Sequence, residues 1–301
     1  MILDKFRKFE FVNIIEGAHN INFILKERIA NSLWIGKISK NLKNQNANFI
    51  DLDNRAILAY RLGEKLKTCI PTTKFINYSQ IKFSSSFDEF LKSIKPDSVL
   101  MRDKLLITRF EGVTLSNFVK YSEINKIKNL RQILNNFVFN LWVGNYDKKD
   151  QDYVINNNLV CRSIDYNLSG PGFLSDKKLA LGAYAQSYSL DEVEDSGWAI
   201  APIFCSYIKQ KNYKVSTFEE EISKIENIRN DDIKKSFEGL NFYRESSKEL
   251  INEDFMEFLI ERKSKIREVV KTWCENEYPR GRRPKSNPEK KDISGDEQLE
   301  K

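Results

Sequence analysis

The pattern of apolar residues changes near residue 112, and this change constrains the fold more than any other feature of the chain. Before residue 112, short stretches of β-branched and aromatic residues separated by turn-forming residues predict antiparallel strands, at about 9–15, 21–25, 32–38, 98–101 and 105–110. One longer stretch, 55–67, has its apolar residues at helical spacing. After residue 112 helical spacing dominates, most clearly in 130–143 and 254–275. The sequence therefore predicts an α+β fold in which a sheet and one long helix precede a mainly helical part.

This pattern divides the chain into three parts. We expect residues 1–112 to form the sheet with its long helix, and residues 113–277 to form the helical part with the loops discussed below. Residues 278–301 have no aromatic side chain after Tyr278 and mix charges of both signs. Such a segment cannot bury much apolar surface, so we expect a disordered tail.

Charge and hydropathy exclude several classes of protein. The 49 Lys and Arg residues against 43 Asp and Glu residues give a net charge of +6, which is no strong signal for nucleic-acid binding. No stretch approaches the roughly 18 to 20 apolar residues that a membrane-spanning helix needs. Residues 1–13 mix charge with Phe and Ile and hold no apolar signal core, and the four cysteines are far apart. We therefore expect reduced thiols and a cytoplasmic location.

The chain contains a single histidine, His19, and this limits its chemistry. Zinc sites with two or three histidine ligands are excluded, and any Ser-His or Cys-His hydrolase would depend on this one residue. Catalysis, if present, must therefore be carried by carboxylates and lysines.

The most informative stretch is 141–171. A helix ends at Gly144, a loop rich in carboxylates follows, and two short apolar strands flank the Asn turn at 156–158. Because a hairpin brings its two ends together, we expect Asp152 and Asp165 to meet at its open end, with Asp147 just before it. Carboxylates converging in this way are expected to bind Mg²⁺ and to leave one Asp that orients a hydroxyl.

This stretch resembles the catalytic and metal-binding segments of the HipA-like kinases, and also those of the type II phosphatidylinositol 4-kinases. Both are divergent members of the protein-kinase-like superfamily, in which an Asn-x-Asp element follows a helix and a metal-binding Asn comes five residues after the Asp. The Asn-Tyr-Asp of 145–147 matches the first element, so the resemblance gives Asp147 the catalytic role. Asp152 stands at the position of the metal-binding Asn, and Asp165 matches the second metal-binding element after the hairpin.

Upstream residues resemble the same families. Residues 34–37 are similar to the strand that carries the phosphate-binding lysine, and this gives that role to Lys37. Within the motif itself, we expect Lys149, two residues after Asp147, to approach the γ-phosphate. The hinge that contacts adenine through its backbone corresponds to Phe110, Glu111 and Gly112.

The sequence departs from the family pattern at three points. The helix glutamate that pairs with the lysine has no clear equivalent, and Asp53 and Glu64 are the candidates. The phosphate-covering loop would fall at 16–23, which holds one glycine. Asp152 in place of Asn keeps an oxygen ligand and adds a charge, which either raises metal affinity or weakens the enzyme.

The resemblance implies a bilobed protein-kinase-like fold, with a β-rich N-lobe and a mainly helical C-lobe. It implies an ATP- and Mg²⁺-dependent kinase that transfers the γ-phosphate to a Ser or Thr hydroxyl of an unidentified protein, with a partner from a neighbouring gene left open. Two alternatives also stay open: a kinase acting on phosphatidylinositol or a small molecule, and a catalytically weak, pseudokinase-like binding module.

Overall fold

The structure is a computed structural model, and it describes residues 8–16, 20–39, 50–82, 104–109, 112–118, 121–145, 148–166, 200–243 and 249–275. The proposed catalytic Asp147, the hinge residues Phe110 and Glu111, His19 and the tail 278–301 lie outside these ranges. Within them the protein mixes strands and helices, and the α+β prediction is confirmed at that level.

The N-terminal part of the chain forms a six-stranded sheet with the order β4-β6-β3-β2-β1-β5. Three strands follow one another as an antiparallel meander, and β6 and β4 extend this sheet beyond β3 in antiparallel pairing. The short β5 pairs parallel with β1. The strands are β1 (Phe9–Glu16), β2 (Asn20–Glu27), β3 (Leu33–Ser39), β4 (Thr73–Asn77), β5 (Ile81–Lys82) and β6 (Lys104–Arg109).

Helix α1 (Ile50–Leu66) connects β3 to β4 and is the long helix that the apolar spacing predicts. Leu58, Leu62 and Leu66 recur every four residues and are buried, which places one face of the helix in the hydrophobic core. That core is shared with the helices of the C-terminal part, so α1 is held against them as well as beside the sheet.

A second, three-stranded antiparallel sheet has the order β7-β8-β9, with β7 at Val113–Thr114, β8 at Tyr153–Ile155 and β9 at Cys161–Ser163. β8 and β9 form the expected hairpin around the Asn turn. Short 3₁₀ turns lie at Tyr78–Gln80, Tyr121–Lys126, Asp150–Asp152 and Val215–Phe218. The remaining helices are α2 (Leu115–Phe118), α3 (Leu130–Val143), α4 (Pro202–Gln210), α5 (Glu219–Asn227), α6 (Asn230–Ser236) and α7 (Asn252–Glu275).

Helix α3 is the centre of the C-terminal part. Every residue from Ile133 to Val143 is buried, because α5 and α7 pack against it. The Trp142 indole donates a hydrogen bond to the Leu259 carbonyl at 2.9 Å, and Arg262 donates one to the Leu141 carbonyl at 2.6 Å. These bonds fix α7 across the end of α3, and that end carries the loop with the candidate site.

No helix in the described ranges combines the length and the hydropathy that crossing a lipid bilayer requires.

Candidate functional site

A cavity of about 520 Å³ lies between the six-stranded sheet and the β8–β9 hairpin. Its walls are partly aliphatic, with Ile35, Leu106 and Val154 contributed by three different strands. Charged side chains converge on the same space, namely Lys37, Arg109, Asp152, Arg162 and Asp165. Apolar walls with a few converging polar groups are typical of sites that bind small molecules.

Strand β3 directs Lys37 into this cavity. Side chains alternate along a strand, so Ile35 and Lys37 line the cavity while Trp34 and Gly36 occupy the other face. On that other face the ring of Phe23, from β2, lies where a Cβ atom on Gly36 would be, within 2.5 Å. Glycine is therefore required at position 36 if this ring is to pack beside the strand that carries Lys37.

Lys37 and Asp165 form an ion pair across the cavity, with Nζ and Oδ1 3.0 Å apart. The two residues are 128 positions apart in the chain. Their side chains are 25% and 43% exposed, so the pair adds little stability. Its importance is geometric, because it brings an ammonium and a carboxylate from distant segments together in one site.

Asp152 lies at the end of the 3₁₀ turn that leads into β8 and is buried. Its Oδ2 accepts a hydrogen bond from the backbone N–H of Lys149 at 2.8 Å, and its carbonyl accepts one from the N–H of Ile164 at 2.7 Å. The second bond makes Asp152 and Asp165 neighbours across the open end of the hairpin, as the sequence predicts. Burial raises the pKa of Asp152 to about 6, the charge of Asp165 adds to this effect, and Lys148 opposes it.

Lys148 is a buried lysine whose ammonium contacts the backbone of Asp165. The sequence analysis did not identify it. Its ammonium donates hydrogen bonds to the carbonyls of Ile164 and Asp165, the latter at 2.7 Å, and lies 3.7 Å from the centroid of the Tyr166 ring. Burial lowers the pKa of Lys148 to about 8, and the neighbouring carboxylates partly offset this shift.

Asp165 has a φ of +63°, in the left-handed region that favours glycine. For a residue with a side chain this conformation costs about 1 kcal/mol or more. The Asp165 carbonyl accepts hydrogen bonds from Lys148 and from the side-chain amide of Asn145, the latter at 3.2 Å. These contacts hold the backbone in the conformation that turns the carboxylate toward Lys37.

Helix α1 presents Ala56 and Tyr60 to the cavity. The Tyr60 side chain is buried, and burial raises the pKa of this tyrosine well above its usual range. The sequence analysis named two carboxylates of this helix, Asp53 and Glu64, as candidate partners of Lys37. Glu64 is exposed and is not among the residues lining the cavity, and the Asp53 side chain lies outside what the structure describes.

Two further predicted site residues are described. Gly112 has a φ of +116°, and a Cβ atom there would lie 1.8 Å from the carbonyl oxygen of Ile155, so this glycine permits close packing against the end of β8. Lys149 is exposed, and its backbone N–H donates a hydrogen bond to the Asp152 carboxylate. Its side chain is not among those that line the cavity.

The donor set around the cavity fits a magnesium ion that arrives with a phosphate ligand. Among the described residues there is no group of three or more His, Cys, Asp or Glu side chains placed to hold a metal. Asp152 and Asp165 supply two carboxylates, and Mg²⁺ is usually bound by one or two carboxylates together with substrate phosphates and water. Asp147, the third expected carboxylate, belongs to the part of the chain that is not described.

No protein-family model matches this chain, and no curated protein matches it either.

Proposed function

We propose that this protein is an ATP- and Mg²⁺-dependent phosphotransferase of the HipA-like type, which transfers the γ-phosphate to a Ser or Thr hydroxyl of a protein. One observation carries the proposal: Lys37, Asp152 and Asp165, which come from three separate segments, line a single cavity. The family resemblance gives these three residues phosphate- and metal-binding roles, whereas Lys149, which was expected at the γ-phosphate, does not line the cavity.

The order of elements supports the same proposal. Three strands, one long helix and further strands precede a mainly helical part, and a short hairpin carries the two carboxylates. This is the order expected of a bilobed protein-kinase-like fold, in which the six-stranded sheet with α1 is the N-lobe and the remaining helices are the C-lobe. The cavity lies where such a fold would bind nucleotide.

Phosphoryl transfer depends mainly on positioning and on neutralising charge. The aliphatic walls formed by Ile35, Leu106 and Val154 suit the flat face of a purine. Lys37, already at the cavity and paired with a carboxylate, would exchange that partner for phosphate oxygens. Asp152 and Asp165 would hold Mg²⁺, which when bound neutralises phosphate charge. Asp147 would accept a hydrogen bond from the attacking hydroxyl and so orient it.

A second candidate is a nucleotide-binding module with little or no catalytic activity. The observation that favours it concerns the face of α1 that lines the cavity. Ala56 and Tyr60 lie on this face, whereas the family has a carboxylate on the corresponding helix. Asp152 in place of the family's Asn is a further departure, and its burial with a raised pKa shows that the extra charge has a cost. Asp152→Asn separates the two candidates, because it restores the family pattern while keeping an oxygen ligand.

The test is transfer of labelled γ-phosphate from ATP, with Mg²⁺, to the protein itself or to a mixture of candidate acceptor proteins. We expect labelling by the native protein, and loss of at least about 100-fold in Asp147→Ala and Asp165→Ala, because each removes a group that acts in the transition state. Asp231→Ala, at an exposed position on α6, is the matched control and should label normally.

Labelling that survives both substitutions would contradict the proposal. Binding of ATP in calorimetry with no transfer, in the native protein and in Asp152→Asn, would select the binding module. Transfer to phosphatidylinositol vesicles with none to proteins would move the acceptor to a lipid.

A further inference from the structure

The β8–β9 hairpin turns one face toward the cavity, and this face is a ladder of three residue pairs. Side chains alternate along both strands, so every second residue lines the cavity, whereas Tyr153 and Ser163 are buried on the other face. Successive pairs are about 7 Å apart along the strands. From the open end of the hairpin to its turn, the pairs are Asp152 with Ile164, Val154 with Arg162, and Asn156 with Val160.

Arg162, in the middle pair, is the one cation among these six residues. Its side chain is exposed, and no hydrogen bond or ion pair joins its guanidinium to another residue in the described ranges. Lys37 differs, because its ammonium is paired with the Asp165 carboxylate. A guanidinium has five N–H donors and no acceptor, so Arg162 offers hydrogen-bond donors to a ligand in the cavity.

The two parts of the cavity differ in chemical character. Lys37 and Asp165 mark the charged end, where the proposed function places the phosphates and Mg²⁺. The next residues that line the cavity on the strands of the two walls are aliphatic, namely Ile35 on β3 and Val154 on β8. A nucleotide with its phosphates at Lys37 would therefore place its base beside these aliphatic side chains. Arg162 lies directly opposite Val154 on the neighbouring strand, at the edge of that base.

We propose that Arg162 is a specificity-determining residue that makes the site prefer guanine nucleotides. The forked N–H groups of a guanidinium match O6 and N7 of guanine, which are two adjacent acceptors. The same edge of adenine carries N7 beside an amino group, and a guanidinium has no acceptor for that donor. The inference rests on the proposed function and deepens it, because it adds GTP as a phosphate donor that the site prefers to ATP.

The experiment measures the affinities for GDP and ADP by calorimetry with Mg²⁺. We expect the native protein to bind GDP about tenfold more tightly than ADP, as one bidentate contact to the base predicts. Arg162→Met should lower the affinity for GDP about tenfold and change the affinity for ADP less than about twofold, so that the preference is lost. Arg28→Met is the matched control, because this arginine is also exposed but lies outside the cavity lining, and it should keep the native preference.

A second variant, Arg162→Lys, separates the fork from the charge. It keeps the positive charge and loses the paired donors, so we expect it to lose most of the preference for GDP. Native protein that binds ADP as tightly as GDP or more tightly, equal losses of both nucleotides in Arg162→Met, or an undiminished preference in Arg162→Lys would overturn the inference and leave the proposed function standing. If the native protein binds neither nucleotide, the proposed function fails and the inference fails with it.

Discussion

Lys148→Met removes the buried ammonium beneath the candidate site and replaces it with an unbranched apolar side chain of similar length. The substitution deletes the hydrogen bonds to the carbonyls of Ile164 and Asp165 and the contact with the Tyr166 ring. Asp165 keeps one hydrogen bond from Asn145, whereas the Ile164 carbonyl loses the bond that Lys148 donates.

Two opposing effects set the size of the change. Burial lowers the pKa of Lys148 from 10.5 to about 8, so removing the ammonium relieves about 3 kcal/mol of desolvation. Against this, two hydrogen bonds from a charged donor contribute about 1.5–3 kcal/mol each. Loss of the ring contact adds about 1 kcal/mol. The losses exceed the relief, and we expect the free energy of unfolding to fall by about 3 kcal/mol.

The assay is urea denaturation at pH 7, followed by tryptophan fluorescence. Lys149→Met is the control, because this neighbouring lysine is exposed and its replacement should change the free energy of unfolding by less than about 0.5 kcal/mol. A Lys148→Met protein as stable as the native one would refute the reasoning, since it would mean that the carbonyl contacts contribute nothing beyond the cost of burying the charge.

Three further predictions follow from single residues. Burial raises the pKa of Glu221 from 4.5 to about 7, so the folded protein keeps a proton that the unfolded chain releases between these pH values. Glu221 alone should therefore lower the free energy of unfolding by up to about 3 kcal/mol from pH 4.5 to 7, and urea denaturation of Glu221→Gln should show a fall smaller by that amount, with the contribution of Asp152 remaining. Gly112→Ala should lower the free energy of unfolding by more than about 2 kcal/mol in the same assay. Gly239 is the control, because it has a φ of +72° and no neighbour within 4 Å of an added Cβ, and Gly239→Ala should lower the free energy of unfolding by only about 1 kcal/mol. Equal losses in the two variants would contradict the packing argument. Lys37→Met should change the melting temperature little, because its ion pair is partly exposed, and should lower the affinity for ATP with Mg²⁺ at least about tenfold in calorimetry.

Local patterns were sufficient to predict the main elements. The helix predicted at 254–275 is α7 at Asn252–Glu275, because its apolar spacing repeats over many turns. The two short apolar runs around the Asn turn predicted the β8–β9 hairpin, and with it the approach of Asp152 to Asp165. The meeting of Lys37 with Asp165 is different, because no local pattern links residues 128 positions apart; only the family resemblance suggested it.

The features that the sequence did not predict are those that depend on tertiary packing. Lys148 and Lys149 are adjacent and chemically identical, yet one is buried against Tyr166 and the other is exposed, and no periodicity in the loop distinguishes them. No motif marks Tyr60 on α1, and it lines the cavity only because β6 and the β8–β9 hairpin fold beside that helix. Short β5, with its parallel pairing to β1, carries no pattern of its own.

The most direct test of the central claim is a crystal structure of the protein grown with Mg²⁺ and a non-hydrolysable ATP analogue. We expect the nucleotide in the cavity between the six-stranded sheet and the β8–β9 hairpin, with Mg²⁺ bound by Asp152 and Asp165 and with Lys37 on the phosphates. A cavity without nucleotide at a saturating concentration of the analogue, or nucleotide bound on another surface, would contradict the claim.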